Sequence, residues 1–243
     1  MTARPTKAAS NPPQPESYVV AVDVVVLTLV DDQLHTLLIR RNEAPFKGQW
    51  MLPGGVVQGR ESLLQAAERV LREKAGLTGV YLEQLFTFSE PKRDPRDRAI
   101  SVAHLALVNR ERFDDLKPHL SETAVSRINV PWEGETGGPV KALSDQGEDL
   151  PLAFDHAEML GLAVKRVRGK LDYTPVGFQL LPDSFTLYQL QKVHEAILGR
   201  SLNKDSFRRR MLASGQLEAT SQSQSDVDHR PAALYRFTGH SAI

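Results

Sequence analysis

A glycine loop, Leu52-Pro53-Gly54-Gly55, leads into a segment that carries Glu61, Arg69, Glu73 and Lys74 and closes at Gly76-Leu77. Carboxylates gathered on one face of a helix hold Mg²⁺, a hard cation that takes oxygen ligands, and the metal activates water against a diphosphate. At about 100° per residue, Leu64, Ala67, Leu71 and Ala75 line one side and are expected to pack on a sheet. Val70, Glu73 and Lys74 fall on the other side. An aliphatic group, one carboxylate and one ammonium make a poor Mg²⁺ seat. At 4 Å an ammonium repels a cation by about 1 kcal/mol in water and about 4 kcal/mol at an effective dielectric near 20. Lys74 is expected to pair with Glu73 instead. No catalytic residue, metal site or cofactor is expected. What remains is a cationic pocket. Arg41, Lys47, Trp50, Gly54, Gly55, Glu73, Lys74, Arg93 and Arg96 are the candidate effector-binding residues, and the cations among them suit an anionic ligand held without metal. His104, His119 and His156 show no spacing that implies a metal.

A second set of residues suits a different chemistry. Phe207 and Met211 stand one turn apart and should face a core, which leaves Arg209 exposed with Ser206 and Arg210 beside it. Asn203 and Lys204 stand at the start of the same helix. Polar and basic groups at a helix N-terminus reach phosphates and base edges in a major groove. His229 and Arg230 sit at the tip of an expected hairpin, where a wing reaches the adjacent backbone. The competing use of such a basic face is docking to another protein.

The elements that position these residues are readable in outline. Tyr18 to Val30 and His35 to Arg40 read as strands around an Asp31-Asp32-Gln33 turn. Residues 44–59 read as a loop, Glu61 to Ala75 as a helix capped by Gly76, and Val80 to Phe88 and Ala99 to Val108 as strands. Residues 131–149 are Gly- and Pro-rich and read as irregular, and Phe154 to Lys170 as a helix opened by an Asp155 cap. Tyr173 to Leu181 reads as a strand or extended arm. Thr186 to Gln189 has the form of a capping box, opening a helix to about Leu198 that Gly199 stops. Leu187, Leu190, Val193 (or His194) and Ile197 form its apolar stripe. Asn203 to Ala213, then strands at 217–220 and 233–237, complete a helix, turn, helix and hairpin. The Pro-rich stretch 1–17 is expected to be a disordered tail.

Composition sets the outer limits. With no cysteine, a disulfide scaffold, thiolate zinc sites, iron–sulfur ligation and a Cys nucleophile are excluded. The 243 residues balance 30 basic against 30 acidic side chains. The balance is uneven, with 18 basic and 23 acidic groups in residues 1–160 but 12 and 7 in residues 161–243. A basic C-terminal module suggests a polyanionic partner. No stretch reads as a signal-peptide core or a membrane span, so a cytoplasmic protein is expected.

The loop and helix at 55–77 resemble the Nudix box, G-x5-E-x7-R-E-U-x-E-E-x-G-U. Gly55, Glu61, Arg69, Leu71, Glu73, Gly76 and Leu77 match, while Val70 and Lys74 stand where that family carries glutamates. Phe46-Lys47-Gly48-Gln49-Trp50 and Arg93-Asp94-Pro95-Arg96 fit the surroundings. Joined to a winged helix-turn-helix, the chain looks like the Nudix-related transcriptional regulators of NAD metabolism. The segments Leu152 to His156, Phe185 to Gly199 and Asn203 to Arg210 are similar in kind to theirs. The resemblance implies an α+β chain: a Nudix-like α/β/α sandwich with a mixed sheet over 18–165, then a winged helix over 172–240. It implies a homodimeric repressor whose first unit senses ADP-ribose or a related nucleotide and whose second binds palindromic double-stranded operator DNA. The alternative is an active ADP-ribose or dinucleotide pyrophosphatase with an accessory winged helix, in which Glu43, Glu61 or Glu68 would supply an altered metal site. A third possibility is a protein-interaction adaptor.

Overall fold

In the computed structural model, residues 17–114, 122–224 and 231–239 are described. The expected tail lies outside them except for Ser17, as do His119, His229 and Arg230. β1 (Val19–Val30) and β2 (Gln33–Arg40) form a hairpin whose turn residues, Asp31 and Asp32, have φ of 49° and 58°. Two consecutive left-handed residues suit the twist of a tight hairpin, and Asp tolerates them better than most residues. β3 (Trp50–Met51) adds to β2 and β4 (Gly54–Val56) adds to β1, so the expected glycine loop is partly pinned to the sheet. β5 (Tyr81–Phe88) and β6 (Ala99–Leu107) follow, then β7 (Thr123–Asn129), β8 (Lys141–Leu143) and β9 (Asp149–Leu150). The order across the sheet is β5-β6-β1-β2-β7-β8-β9. β1 runs parallel to β6, with Val22 opposite Val102, and the remaining pairings are antiparallel.

Helices cover both faces, which is why β1 is an almost unbroken apolar run rather than an alternating one. α1 (Leu63–Ala75) packs on Val22, Val24, Val26 and Leu37, with Phe113 of the short α2 (Arg110–Asp114) in the same layer. α3 (His156–Lys170) packs on Val25, Leu27, Leu34 and Leu38 from the other side. Ser62 and Gln65 cap α1 reciprocally, and Gly76 ends it in a left-handed conformation at φ 65°. Asp155 precedes α3 but makes no side-chain cap, contrary to expectation, because its carboxylate is engaged elsewhere.

Tyr173 to Leu181 is not a strand. Pro175–Leu180 form a 3₁₀ turn, and a Cβ on Gly177 would stand 3.1 Å from Leu171 Cδ1, so this turn packs closely on the end of α3. Next come β10 (Phe185–Thr186), α4 (Leu187–Leu198), α5 (Lys204–Ala213), β11 (Leu217–Ser223) and β12 (Ala233–Phe237). The three strands form one sheet in the order β10-β12-β11. Thr186 and Gln189 form the expected capping box, Gly199 ends α4 at φ 69°, and Asn203 caps α5 through Ser206 N. The chain is therefore α+β, a mixed-sheet sandwich followed by a winged helix-turn-helix.

Candidate functional site

The centre of the first unit is a buried polar cluster around Asp23. This residue breaks an otherwise apolar strand and is 9% exposed. Its Oδ2 accepts from Ser101 Oγ at 2.5 Å, and its Oδ1 lies 3.7 Å from His156 Nε2. Leu52 N donates to His156 Nδ1 at 3.0 Å, so the ring proton sits on Nε2, facing Asp23. Burial pushes the His156 pKa down, Asp23 and Asp155 oppose this, and Arg93 and Arg41 add to it. Arg93 Nε and Nη2 bind Asp155 at 2.8 and 2.7 Å, and Nη2 lies 3.8 Å from Asp23. Arg93 is thus a buried member of the cluster, committed to carboxylates rather than open to a ligand.

Lys74 enters this cluster from α1. Its ammonium donates to the carbonyl of Gly54, and Asp23 is its strongest nearby anion. Burial pushes its pKa down, and Arg41 and Arg69 add to the shift. The expected pairing of Lys74 with Glu73 is not formed. Glu73 is exposed and sits 3.4 Å from Arg69 and 3.9 Å from Arg72. Ala67, Leu71 and Ala75 of α1 are buried as expected, but the edges of the buried face differ. Leu64 is 49% exposed, whereas Val70 is 1% exposed and lies in the core beneath Gly55, whose Cβ position is 3.2 Å from Val70 Cγ2. The buried residues of α1 are Ala66, Ala67, Val70, Leu71 and Ala75, and the half-buried Lys74 can lie beside them because the Gly54 carbonyl accepts from its ammonium. Glu61 binds Arg69 at 2.6 Å, which holds its pKa down at about 2.

The donor set does not fit a divalent cation. Val70 is apolar, Lys74 occupies the loop carbonyl, and Glu61 and Glu73 are turned onto arginines. Among the described residues, no group of three or more His, Asp or Glu side chains is arranged to hold a metal.

Above the cluster lies a rim that combines rings and cations. Phe46 and Phe154 meet edge to face at 4.9 Å, and Arg41 and Arg96 stand 5.1 and 5.6 Å from the Phe154 ring. Phe154 has φ of 53°, a costly conformation for a bulky side chain and one that concentrates at functional sites. Arg41 donates to the carbonyls of Pro45 and Ala44 and to Met51 Sδ, with no carboxylate partner among the described residues, whereas Arg96 pairs with Asp94 at 2.6 Å. Lys47 is exposed on the adjoining turn. Gly54 sits against Asp23, where a Cβ would lie 1.9 Å from Oδ1, so only glycine fits. Trp50 is not part of this group. It lines a separate groove with Val30, His35, Phe113 and Leu150. Asp23, Ser101, Phe154, Asp155 and His156 were not singled out as site residues from the sequence. The one signal for them was a carboxylate in the middle of a β-branched strand.

In the second unit, Phe207 and Met211 are buried and α5 presents Asn203, Lys204, Ser206, Arg208, Arg209 and Arg210 outward. Arg210 approaches Asp172 at 3.5 Å and Phe207 at 5.6 Å to its ring. Among the described residues, no helix is long and apolar enough to cross a membrane.

Comparison with known proteins gives two family matches: the NUDIX domain over residues 18–134 and the NrtR DNA-binding winged helix domain over residues 177–237. The chain is 37% identical over 223 residues to the ADPR responsive transcriptional repressor NtrR of Acinetobacter baylyi, covering 91% of this chain and 82% of that one. The crystal structure of Shewanella oneidensis NrtR complexed with a 27mer DNA is similar at TM-score 0.75 and 34% identity, over 90% of this chain and 93% of that one. A shorter similarity, 37% over 82 residues, relates 34% of this chain to 48% of the ADP-ribose pyrophosphatase of Methanocaldococcus jannaschii.

Proposed function

The chain belongs to the NrtR family of ADP-ribose-responsive transcriptional repressors, and from this premise we propose that it represses genes of NAD synthesis and salvage in the cytoplasm. It binds palindromic operator DNA as a homodimer and loosens its hold when ADP-ribose fills the Nudix-like unit. The observation that carries the sensor reading is the Lys74 ammonium on the Gly54 carbonyl, a built-in cation where the fold offers a metal its seat. A fixed cation attracts a diphosphate without activating water, so the hydrolytic centre is lost and the pocket is kept. Arg41, with no carboxylate partner among the described residues, adds a second phosphate donor, and Lys47 and Arg96 flank it. The Phe46 and Phe154 rings provide a face on which the base stacks. Gly54 and Gly55 let the backbone approach the phosphates, and Glu73 orients Arg69 beside them.

On the DNA side, Asn203, Lys204, Ser206, Arg209 and Arg210 form the contact surface of α5, and His229 and Arg230, which lie outside the described residues, are further candidate contacts. The operator half-sites lie one turn apart, about 34–36 Å, if two recognition helices read a palindrome. Linkage supplies the mechanism: ADP-ribose lowers operator affinity by the same factor that DNA lowers ADP-ribose affinity. A hundredfold release needs about 2.7 kcal/mol of differential affinity.

Fluorescence anisotropy with the chain's own upstream region and with NAD-gene promoters tests this reading. Sequence-specific, salt-sensitive binding that ADP-ribose weakens supports it; indifference to every duplex removes it. The similarity to a pyrophosphatase favours one other reading, an ADP-ribose hydrolase. Release of AMP from ADP-ribose with Mg²⁺ at ordinary enzyme rates would establish that reading instead.

A further inference from the structure

α3 touches both candidate sites. At its start, Asp155 holds Arg93 and His156 faces Asp23. About three turns further on, Arg168 reaches into the winged helix. Its Nε donates to Ile197 O at the end of α4 at 2.7 Å, and its Nη1 donates to Gly134 O at 2.9 Å and Trp132 O at 3.3 Å. The Trp132 ring lies 4.8 Å from the guanidinium, and a Cβ on Gly199 would come within 2.9 Å of Nη2. Arg168 is 7% exposed, and no carboxylate is among its partners in the described residues.

A buried guanidinium without a counter-ion is costly, and an aliphatic side chain would fill the same volume with less desolvation. Its use therefore lies in what its donors reach. They join the last turn of α4 to the 132–134 loop of the first unit. Around them lies an open groove of about 1090 Å³ between the units, bordered by Asp32, Arg127, Lys192 and Arg200. Lys192 of α4 and Asp32 of the β1–β2 turn approach across it at 3.9 Å. α3 is also tied to the sheet, through Lys170 and Arg166 to Glu83 and Leu85, and to the 132–140 segment through Lys165 Nζ, which donates to Thr136 O.

We infer that α3 is the rod that carries effector occupancy to the DNA-binding unit, and that Arg168 is the positioning residue that couples the rod to α4. Packed helices move as discrete bodies rather than bending, so a small displacement at Asp155 and His156 reappears at Arg168. This inference rests on the repressor reading.

Because the chain has no cysteine, Gln146→Cys with Glu218→Cys places one spin label on each unit of the full-length protein. Double electron–electron resonance should give a single narrow distance distribution that ADP-ribose displaces. In Arg168→Gln the distribution should broaden and stop responding. The ADP-ribose effect on operator affinity should fall at least tenfold, while the Kd for ADP-ribose itself stays within twofold. Arg168→Lys, which keeps the charge but loses the fork, and Trp132→Leu, which keeps the fork but loses the ring, should each give intermediate coupling. These two variants decide the matter if Arg168→Gln does not fold. An undisturbed narrow distribution together with undiminished nucleotide release would overturn the inference. Failure of the unsubstituted protein to bind any duplex would overturn the functional reading instead, and the distance measurement would still decide whether Arg168 couples the units.

Discussion

At the scale of single residues, charge placement separates a sensor from a hydrolase. Lys74 carries its charge into a half-buried position and spends it on a carbonyl, and in the proposed sensor it is the cation that a diphosphate would meet. Lys74→Met should weaken ADP-ribose at least tenfold by calorimetry, and added Mg²⁺ should not restore it. Recovery of affinity with Mg²⁺ would show that a metal seat persists. His194 offers a separate test. It is 4% exposed, its Nδ1 has no partner among the described residues, and it packs edge to face on Phe207 at 5.0 Å. Burial pushes its pKa down to about 4, with Arg210 adding to the shift and Asp172 opposing it. The unfolded chain, with an ordinary value near 6.5, therefore takes up the proton first. The stability is fully present above about pH 6.5 and is lost as pH falls toward 4, by about 3 kcal/mol in all. Urea midpoints should drop between pH 7 and pH 4.5, and His194→Leu should flatten that slope. An unchanged slope would mean that other groups carry the acid sensitivity.

At the scale of elements, α5 is positioned by few contacts and can be tested through them. Asn203 Oδ1 accepts from Ser206 N at 2.9 Å, and the helix turns Phe207 and Met211 inward. Asn203→Ala should cost about 1 kcal/mol of stability, read as a lower Tm, and should fray the N-terminal turn proposed to contact DNA. Arg209, exposed and without an ion pair among the described residues, should behave as a phosphate or base contact. Arg209→Ala should weaken operator binding and lower the slope of log K against log salt by about 1 if the contact is to phosphate. An unaltered slope and affinity would favour a docking face for another protein. These helices were readable in the sequence because their signals are local: Thr186 with Gln189, Asn203, and glycines at 76, 199 and 215. The elements that escaped depend on distant partners. β7 is defined by pairing with β2, β8 and β9 extend it, and the 3₁₀ turn at 175–180 is shaped by packing on α3 and α4. The edges of the α1 face, at Leu64, Val70 and Lys74, depart from the sequence pattern for the same reason, while Ala67, Leu71 and Ala75 follow it. The sequence shows that Lys74 is charged, but only the fold shows a carbonyl waiting for it. Asp23 was visible as an interruption, yet its partners Ser101, Arg93 and His156 come from three other segments.

At the scale of the whole molecule, the two units share one apolar core. Val25, Leu27 and Leu38 of the sheet, Met159, Val164 and Val167 of α3, and Leu187, Leu190, Val193 and Phe207 of the winged helix form a single cluster. A wholly independent DNA-binding unit on a loose linker would show separate clusters and a polar interface. The continuity makes the orientation of the recognition helix a property of the sensor as well, which is what a repressor released by a nucleotide requires. It also predicts one unfolding transition. Both tryptophans, Trp50 and Trp132, lie in the first unit, so their fluorescence reports there, while far-UV circular dichroism reports on both. The two probes should give the same urea midpoint and the same slope. Saturating ADP-ribose should raise both midpoints together, by about 2.7 kcal/mol of stability at a hundred times Kd. Dichroism that falls before the fluorescence would mean that the winged helix melts alone, and a nucleotide would then reach DNA through order and disorder of that unit rather than through a shared core.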